Sequence, residues 1–224
     1  MLTFARRCAD KADRITIEPA RLIVAGWTGR DEAALRHHIE ELAAIGVPRP
    51  SSVPVFYRNA VSNVVQTTRL EVLGPDTSGE VEPVIVALAD GLWVSVGSDH
   101  TDRKAETMGI ALSKQLCGKV IGDELWRFDE ISAHWDQIII RSFVTIGGER
   151  VPYQEGPLAA MRRPEDLIAR TGKPFVPDTI MFCGTLGAKG GIRPAARFEM
   201  ELDDPVLRRR MTHAYDVIDL PVIT

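Results

Sequence analysis

Apolar and polar positions alternate along most of this chain, and only in a few stretches do they recur at helical spacing. Residues 15–27, ITIEPARLIVAGW, read as strand material. In the stretch that follows, TGRDEAALRHHIEELAAIGVPRP, Leu35, Ile39, Leu42 and Ile45 stand three or four residues apart, which predicts a helix. Thr28, with Asp31 three residues on, is its expected cap, and Gly46 and Pro48 are its expected end. His37 and His38 lie on it without an acidic ligand pattern around them and read as surface or packing residues. After VPVFYRNAVSNVV the chain turns mostly extended. Runs at 69–73, 82–89, 92–98, 137–146, 179–183 and 197–202, bounded by Gly, Pro or Asp, predict strands. Helical patterns at 102–116, 164–170 and 204–213 interrupt them. Strands dominate and do not alternate regularly with helices. The expected fold class is therefore α+β, predominantly β and mostly antiparallel, rather than a doubly wound parallel sheet.

Composition narrows the picture only modestly. The 224 residues suffice for one substantial domain, or one core with a small appendage. A net charge of -4 carries no electrostatic footprint for nucleic acid or an anionic membrane. No apolar run approaches the ~20 residues of a membrane span, and MLTFARRCADKADR lacks the apolar centre of a signal peptide. Cys8, Cys117 and Cys183 are far apart and read as free thiols in a reducing compartment, so a cytoplasmic protein is expected.

The sharpest local signal is Asp90-Gly91 inside SGEVEPVIVALADGLWVSVGSDHTDR, residues 78–103. A two-residue turn there sets Ala89 opposite Leu92, hence Glu82 opposite Asp99 and Glu80 opposite Thr101. Opposed residues share a face of the sheet, as do residues two apart on one strand. Glu80, Glu82 and Asp99 are thus expected on one side, beside the small Ser95 and Gly97. Carboxylates gathered at a half-buried surface are costly unless protonated or neutralised. Two readings stand open: a solvated acidic edge, or a site for a hard divalent cation such as Mg²⁺. A three-residue turn would invert the parity and separate Asp99 from the pair.

Cations follow the acids. Arg103 and Lys114, with Lys119 as the alternative lysine, could clamp an anionic substrate, arginine being suited to bidentate carboxylate binding. By alternation His100 points to the other face, and His134 and His213 have no readable partner. The G-x-S-x-G nucleophile pattern is absent, and GAKGGIRP at 187–194 lacks the context of a phosphate-cradling loop.

In order, GEVE, SDHTDR and the lysine of SKQLCGKVIG resemble the fumarylacetoacetate hydrolase superfamily. DQIIIRSFVTIGGERVPYQEG and FVPDTIMFCGTLGAKGG continue the resemblance, which covers roughly residues 50–220 and leaves 1–50 as a strand-helix appendage of a single domain. The resemblance implies a mixed β-roll or sandwich with a few short helices, often a homodimer, with Mg²⁺ or Mn²⁺ held by Glu80, Glu82 and Asp99. It further implies that Arg103 and Lys114 act on the substrate and that Tyr57, Gln154 and Thr185 edge the pocket. The implied partner is a small anionic metabolite, a 2-oxo acid or acylpyruvate, and the implied reaction is C–C hydrolysis or lysis through an enolate. One departure matters. The water-activating histidine and its glutamate are occupied in FYRNAVSN by Ala60 and Asn63, and a following glutamine by Glu106. Decarboxylation, isomerisation or metal-dependent binding without catalysis would survive that loss. His100, Asp102 and Glu106 are the nearest candidates for a replacement base.

Overall fold

The computed structural model describes residues 1–8, 11–44 and 49–223, apart from the side chains of Lys11, His38 and Leu42. Among these residues a large mixed sheet takes, in spatial order, the strands Lys11–Ile17, Leu2–Cys8, Glu124–Arg127, Gly91–Asp99, Val81–Leu88, Thr179–Phe182, Arg21–Gly26 and Val55–Asn59. Lys119–Ile121 branches from the edge of Gly91–Asp99 and carries Val64–Val65 beyond it. A second sheet runs Glu149–Pro157, Ile139–Ile146, Arg197–Asp204, Arg209–Leu220 and Arg69–Leu73. The fold is α+β with strands predominant.

The two faces of the large sheet bury different sets of residues. Ile23, Val81, Ile85, Val94 and Val96 meet Phe198, Met200, Leu202, Met211 and Tyr215 of the second sheet. On the opposite face, Phe4, Leu22, Val24, Val84, Val86, Trp93, Leu125, Ile180 and Phe182 pack together. Every strand in that second cluster belongs to the large sheet itself, which must therefore curl around its own side chains, as a β-roll does. Pleating sends successive residues of Val81–Leu88 alternately into the two clusters, so this wholly buried strand is apolar almost throughout.

Several expectations are corrected. The turn of the central hairpin is Ala89-Asp90, with Leu88 opposite Gly91 (φ +125°), so the register sits two residues from the one expected. Asp90 is held there by Arg6 from a neighbouring strand at 2.7 Å and by the Trp93 indole at 2.9 Å. Residues 204–213 are not helical: a turn leads into the strand Arg209–Leu220. Asp31, not Thr28, caps the helix Glu32–Ala44, accepting the N–H groups of Ala33 and Ala34 at 3.0 Å. Ile45, Gly46 and Pro48 lie outside the described residues. Residues 15–27 divide around Pro19 into two strands, and 102–116 divides into the helices Arg103–Glu106 and Ile110–Leu116. The first 26 residues, expected as part of an appendage, supply three strands of the large sheet, one of them parallel to Thr179–Phe182. The 164–170 helix stands as expected. Among the described residues, no helix is long and apolar enough to cross a membrane.

Candidate functional site

The two-residue slip leaves the parity of the hairpin unchanged, because side chains alternate with period two. Glu82 faces Gly97, while the Asp99 N–H bonds the Glu80 carbonyl at 3.0 Å one step further along. Glu80, Glu82 and Asp99 therefore converge, each offering an oxygen within 4.8 Å of the others. Gly97 makes the floor flat. A β-carbon there would come within 2.6 Å of Phe182, 2.7 Å of Val84 and 2.9 Å of the Val120 carbonyl.

Lysine reaches this cluster from two directions. Lys119 lies directly opposite Asp99 on the adjacent antiparallel strand, so both side chains share a face. Its Nζ stands 2.8 Å from Asp99 Oδ1 and donates to the His100 carbonyl at 2.5 Å. Lys114 arrives on Ile110–Leu116 and bonds Asp99 Oδ2, with Glu80 Oε2 3.5 Å away. That helix is anchored by Asn59, which donates to the Lys114 carbonyl at 2.8 Å, and by Asn63, which donates to the Gln115 carbonyl at 2.7 Å. Of the two lysines, Lys114 lines the cavity above the acids, whereas Lys119 is sealed beneath them.

The charges do not balance. Burial alone would raise the Asp99 carboxyl, but Lys114 and Lys119 overcome it and bring the pKa down to about 2. Burial also works against the Lys114 ammonium, and Asp99, Glu80 and Glu82 together more than offset it, so Lys114 stays charged. Glu82 is the exception. Burial, Asp99 and Glu80 push it well above the usual carboxylate range, against Lys114 and a 2.7 Å bond from the Gly184 N–H. Arg103 is spent on Ser78, Glu106 and Glu80, at 2.7, 3.0 and 3.0 Å. Lys114, Lys119 and Arg103 thus face Glu80, Glu82, Asp99 and Glu106, one carboxylate in excess. Asp99 Oδ1 is buried without an aligned hydrogen bond. Three acidic side chains with oxygens within 4.8 Å of one another, one of them disfavoured as a charge by burial and by the other two, make an all-oxygen donor set that fits a hard divalent cation.

A cavity of about 510 Å³ opens over the acids. Tyr57, Gln154 and Thr185 all line it. Gln154 is fully occupied, however. Its Oε1 accepts from the Val81 N–H and Ser142, both at 2.9 Å, and its Nε2 donates to Thr185 and the Leu186 carbonyl at 2.7 and 2.6 Å. It braces the 184–186 loop against the acid-bearing strand, and Thr185 adds a 2.7 Å bond to the Val81 carbonyl. Tyr57 is half-buried with its ring 6.0 Å from Lys114 Nζ.

Of the three candidate bases, only Glu106 lines the cavity. His100 is on the other face, between Tyr215 and Thr77 at 2.8 and 2.9 Å, and burial lowers its pKa to about 3. Asp102 caps its helix by accepting the Ala105 N–H at 2.8 Å. Ala60 is exposed, and neither it nor Asn63 lines the cavity. His37 is exposed 3.2 Å from Glu41, and Cys117 and Cys183 are buried free thiols. Sequence reasoning missed Trp27, Leu35 and Ile192, all on the cavity wall, because they come from segments without a chemical motif.

Solved structures with this architecture define the class. A structure provisionally named a fumarylacetoacetate isomerase/hydrolase, from Oleispira antarctica, is 19% identical, with 97% of this chain and 100% of that one covered at a TM-score of 0.63. The 5-carboxymethyl-2-hydroxymuconate delta-isomerase of Mycobacterium smegmatis matches at 14% identity, 90% and 80% coverage and a TM-score of 0.63. A 2-keto-3-deoxy-D-arabinonate dehydratase complexed with magnesium and 2,5-dioxopentanoate matches at 15%, 95% and 85%, with a TM-score of 0.64. The chain has the fold of the fumarylacetoacetate hydrolase superfamily. Residues 25–215 match DUF2848, described as a protein of unknown function, and the chain belongs to that family. No curated protein matches.

Proposed function

We propose that this chain is a divalent-metal-dependent enzyme acting on a small 2-oxo acid or acylpyruvate. The observation that carries the reading is the convergence of Glu80, Glu82 and Asp99 at the floor of a cavity, where Lys114, Lys119 and Arg103 are one fewer than the carboxylates they face. Glu80, Glu82 and Asp99 would hold Mg²⁺ or Mn²⁺, and the magnesium of the structurally similar dehydratase supports that assignment. When bound, such an ion supplies Lewis-acid polarisation of a 2-oxo carbonyl and stabilises developing enolate charge.

The chain's own groups divide the remaining work. Lys114, held protonated, presents positive charge to a substrate carboxylate rather than acting as a base. Arg103 holds Glu80 and Glu106 through its two terminal nitrogens and adds a second cation to the floor. Glu106 is the carboxylate positioned to take a proton from the carbon beside the carbonyl and return it. Lys119 sets Asp99 from below. Ala60 faces solvent and Asn63 is spent on the Gln115 carbonyl, which favours isomerisation, decarboxylation or lysis over hydrolysis by an activated water.

The decisive assay offers oxaloacetate, acylpyruvates and a wider set of 2-oxo acids with and without Mg²⁺ or Mn²⁺. It scores C–C cleavage, CO₂ release and exchange of the C3 hydrogens for deuterium. Metal-dependent turnover is expected, falling about 10²–10⁴-fold in Glu106→Gln. Metal uptake without turnover of any acid would instead identify a metabolite-binding protein.

A further inference from the structure

The charged residues lining the cavity form one connected group. Lys114 reaches Glu80 at 3.5 Å, and Glu80 and Glu106 each meet Arg103 at 3.0 Å, with Glu82 beside Glu80. Among the described residues, the rest of the lining holds no charge, and Trp27, Leu35, Ile110, Leu186 and Ile192 give it a large apolar share. Trp27 is the most informative of these. Its φ of +58° lies in the left-handed region that residues with a β-carbon rarely occupy, and its side chain hydrogen-bonds Tyr57 on the same wall. The fold thus holds a bulky aromatic in an unfavourable backbone conformation where the cavity needs a wall. The cavity's 510 Å³ falls in the range of roughly 300–1,000 Å³ typical of pockets that enclose a whole ligand, not only a carboxylate head.

We infer that the acid taken by this site is a monocarboxylate whose distal substituent is uncharged and apolar, with Trp27, Leu35 and Ile192 setting the preference. The inference rests on the reading above, in which the charged floor takes the 2-oxocarboxylate head. The charged lining residues all belong to the floor, so a second carboxylate elsewhere in the cavity would lose water against apolar side chains, a penalty that the apolar substituent escapes.

The test compares two 2,4-dioxo acids of similar length, one ending in a phenyl ring and one in a carboxylate. Both are assayed with Mg²⁺ for kcat/KM, and for binding by tryptophan fluorescence. The phenyl acid is expected to lead by roughly tenfold or more. Ile192→Arg places a cation on the wall at a residue 56% exposed, where the fold is undisturbed, and should shrink the ratio several-fold. Equal use of the two acids, preference for the dicarboxylate, or an unchanged ratio in the variant overturns the inference and leaves the proposed chemistry standing. Tighter binding of the phenyl acid with no turnover of either upholds the inference and sinks the chemistry. Binding of neither overturns both.

Discussion

Asp99 and His100 are neighbours in the chain, both essentially inaccessible to solvent, yet they belong to opposite kinds of buried polar group. His100 sits in a closed neutral chain. Tyr215 donates to Ser98 at 2.8 Å, so the His100 Nδ1–H must donate to Tyr215 and its Nε2 must accept from Thr77. Ser98 also accepts the Glu80 N–H at 3.3 Å. On that side each ring nitrogen has a neutral partner and nothing further is required. Around Asp99 the partners are ions, and the group ends one carboxylate over. A satisfied network specifies a fold, whereas an unbalanced one of equal burial marks a place where something else binds.

The contrast predicts unequal consequences when each side is broken. Asp99→Asn leaves the buried Lys119 without its carboxylate and should cost about 3–5 kcal/mol in chemical denaturation. It should also abolish Mg²⁺ uptake by calorimetry. Tyr215→Phe strands His100 Nδ1–H and one Ser98 contact. The expected cost is about 1–3 kcal/mol, with Mg²⁺ affinity unchanged within twofold; a large loss of affinity would show that the neutral chain is not separate from the site.

Acid titration sharpens the comparison further, because two carboxylates of one cluster respond in opposite directions. The folded pKa of Asp99, about 2, lies below its ordinary value of 3.8. Its contribution of about 2 kcal/mol is fully present above pH ~4 and is lost as pH falls through 2. Glu82 is raised above 4.5 in the folded state, so in the metal-free protein its contribution is fully present below about 4.5 and is lost as pH climbs from there through the raised value. Metal-free protein should therefore gain stability as pH drops from neutral toward 5, and Glu82→Gln should flatten that gain. Saturating Mg²⁺ should reverse the trend. At neutral pH the metal alone should add about 2.7 kcal/mol at a hundredfold excess over Kd, removed by EDTA. Thermal melts across pH, with and without metal, measure both.

The alternation of the strands was readable in the residues, and alternation is what assembles the acids. Misplacing the turn by one position on each strand shifts the pairing by two, and the face of every side chain survives. Which lysine lines the cavity was not readable, since Lys114 and Lys119 differ by a helix-to-strand change that places one above Asp99 and one below it. The strand Arg209–Leu220 looked helical near its start because Leu207 and Met211 are four residues apart. A spacing of four suits a helical turn and also two strand periods, and only the partner strand Arg197–Asp204 decides between them. The first strand was hidden by Arg6 and Arg7, which pair with Asp13, Asp90 and Glu124 while Leu2 and Phe4 enter the core. The site's apolar lining carried no motif at all and came from helices and loops far apart in the chain.

Gly97, with no room above it for even a methyl group, has a practical corollary for anyone redesigning this protein. Libraries aimed at the bottom of the bowl would mostly return misfolded clones, since each added atom must displace Phe182, Val84 or main chain. Diversity belongs instead at the lip, where Leu35 and Ile192 can change size and polarity while the acids below keep their spacing.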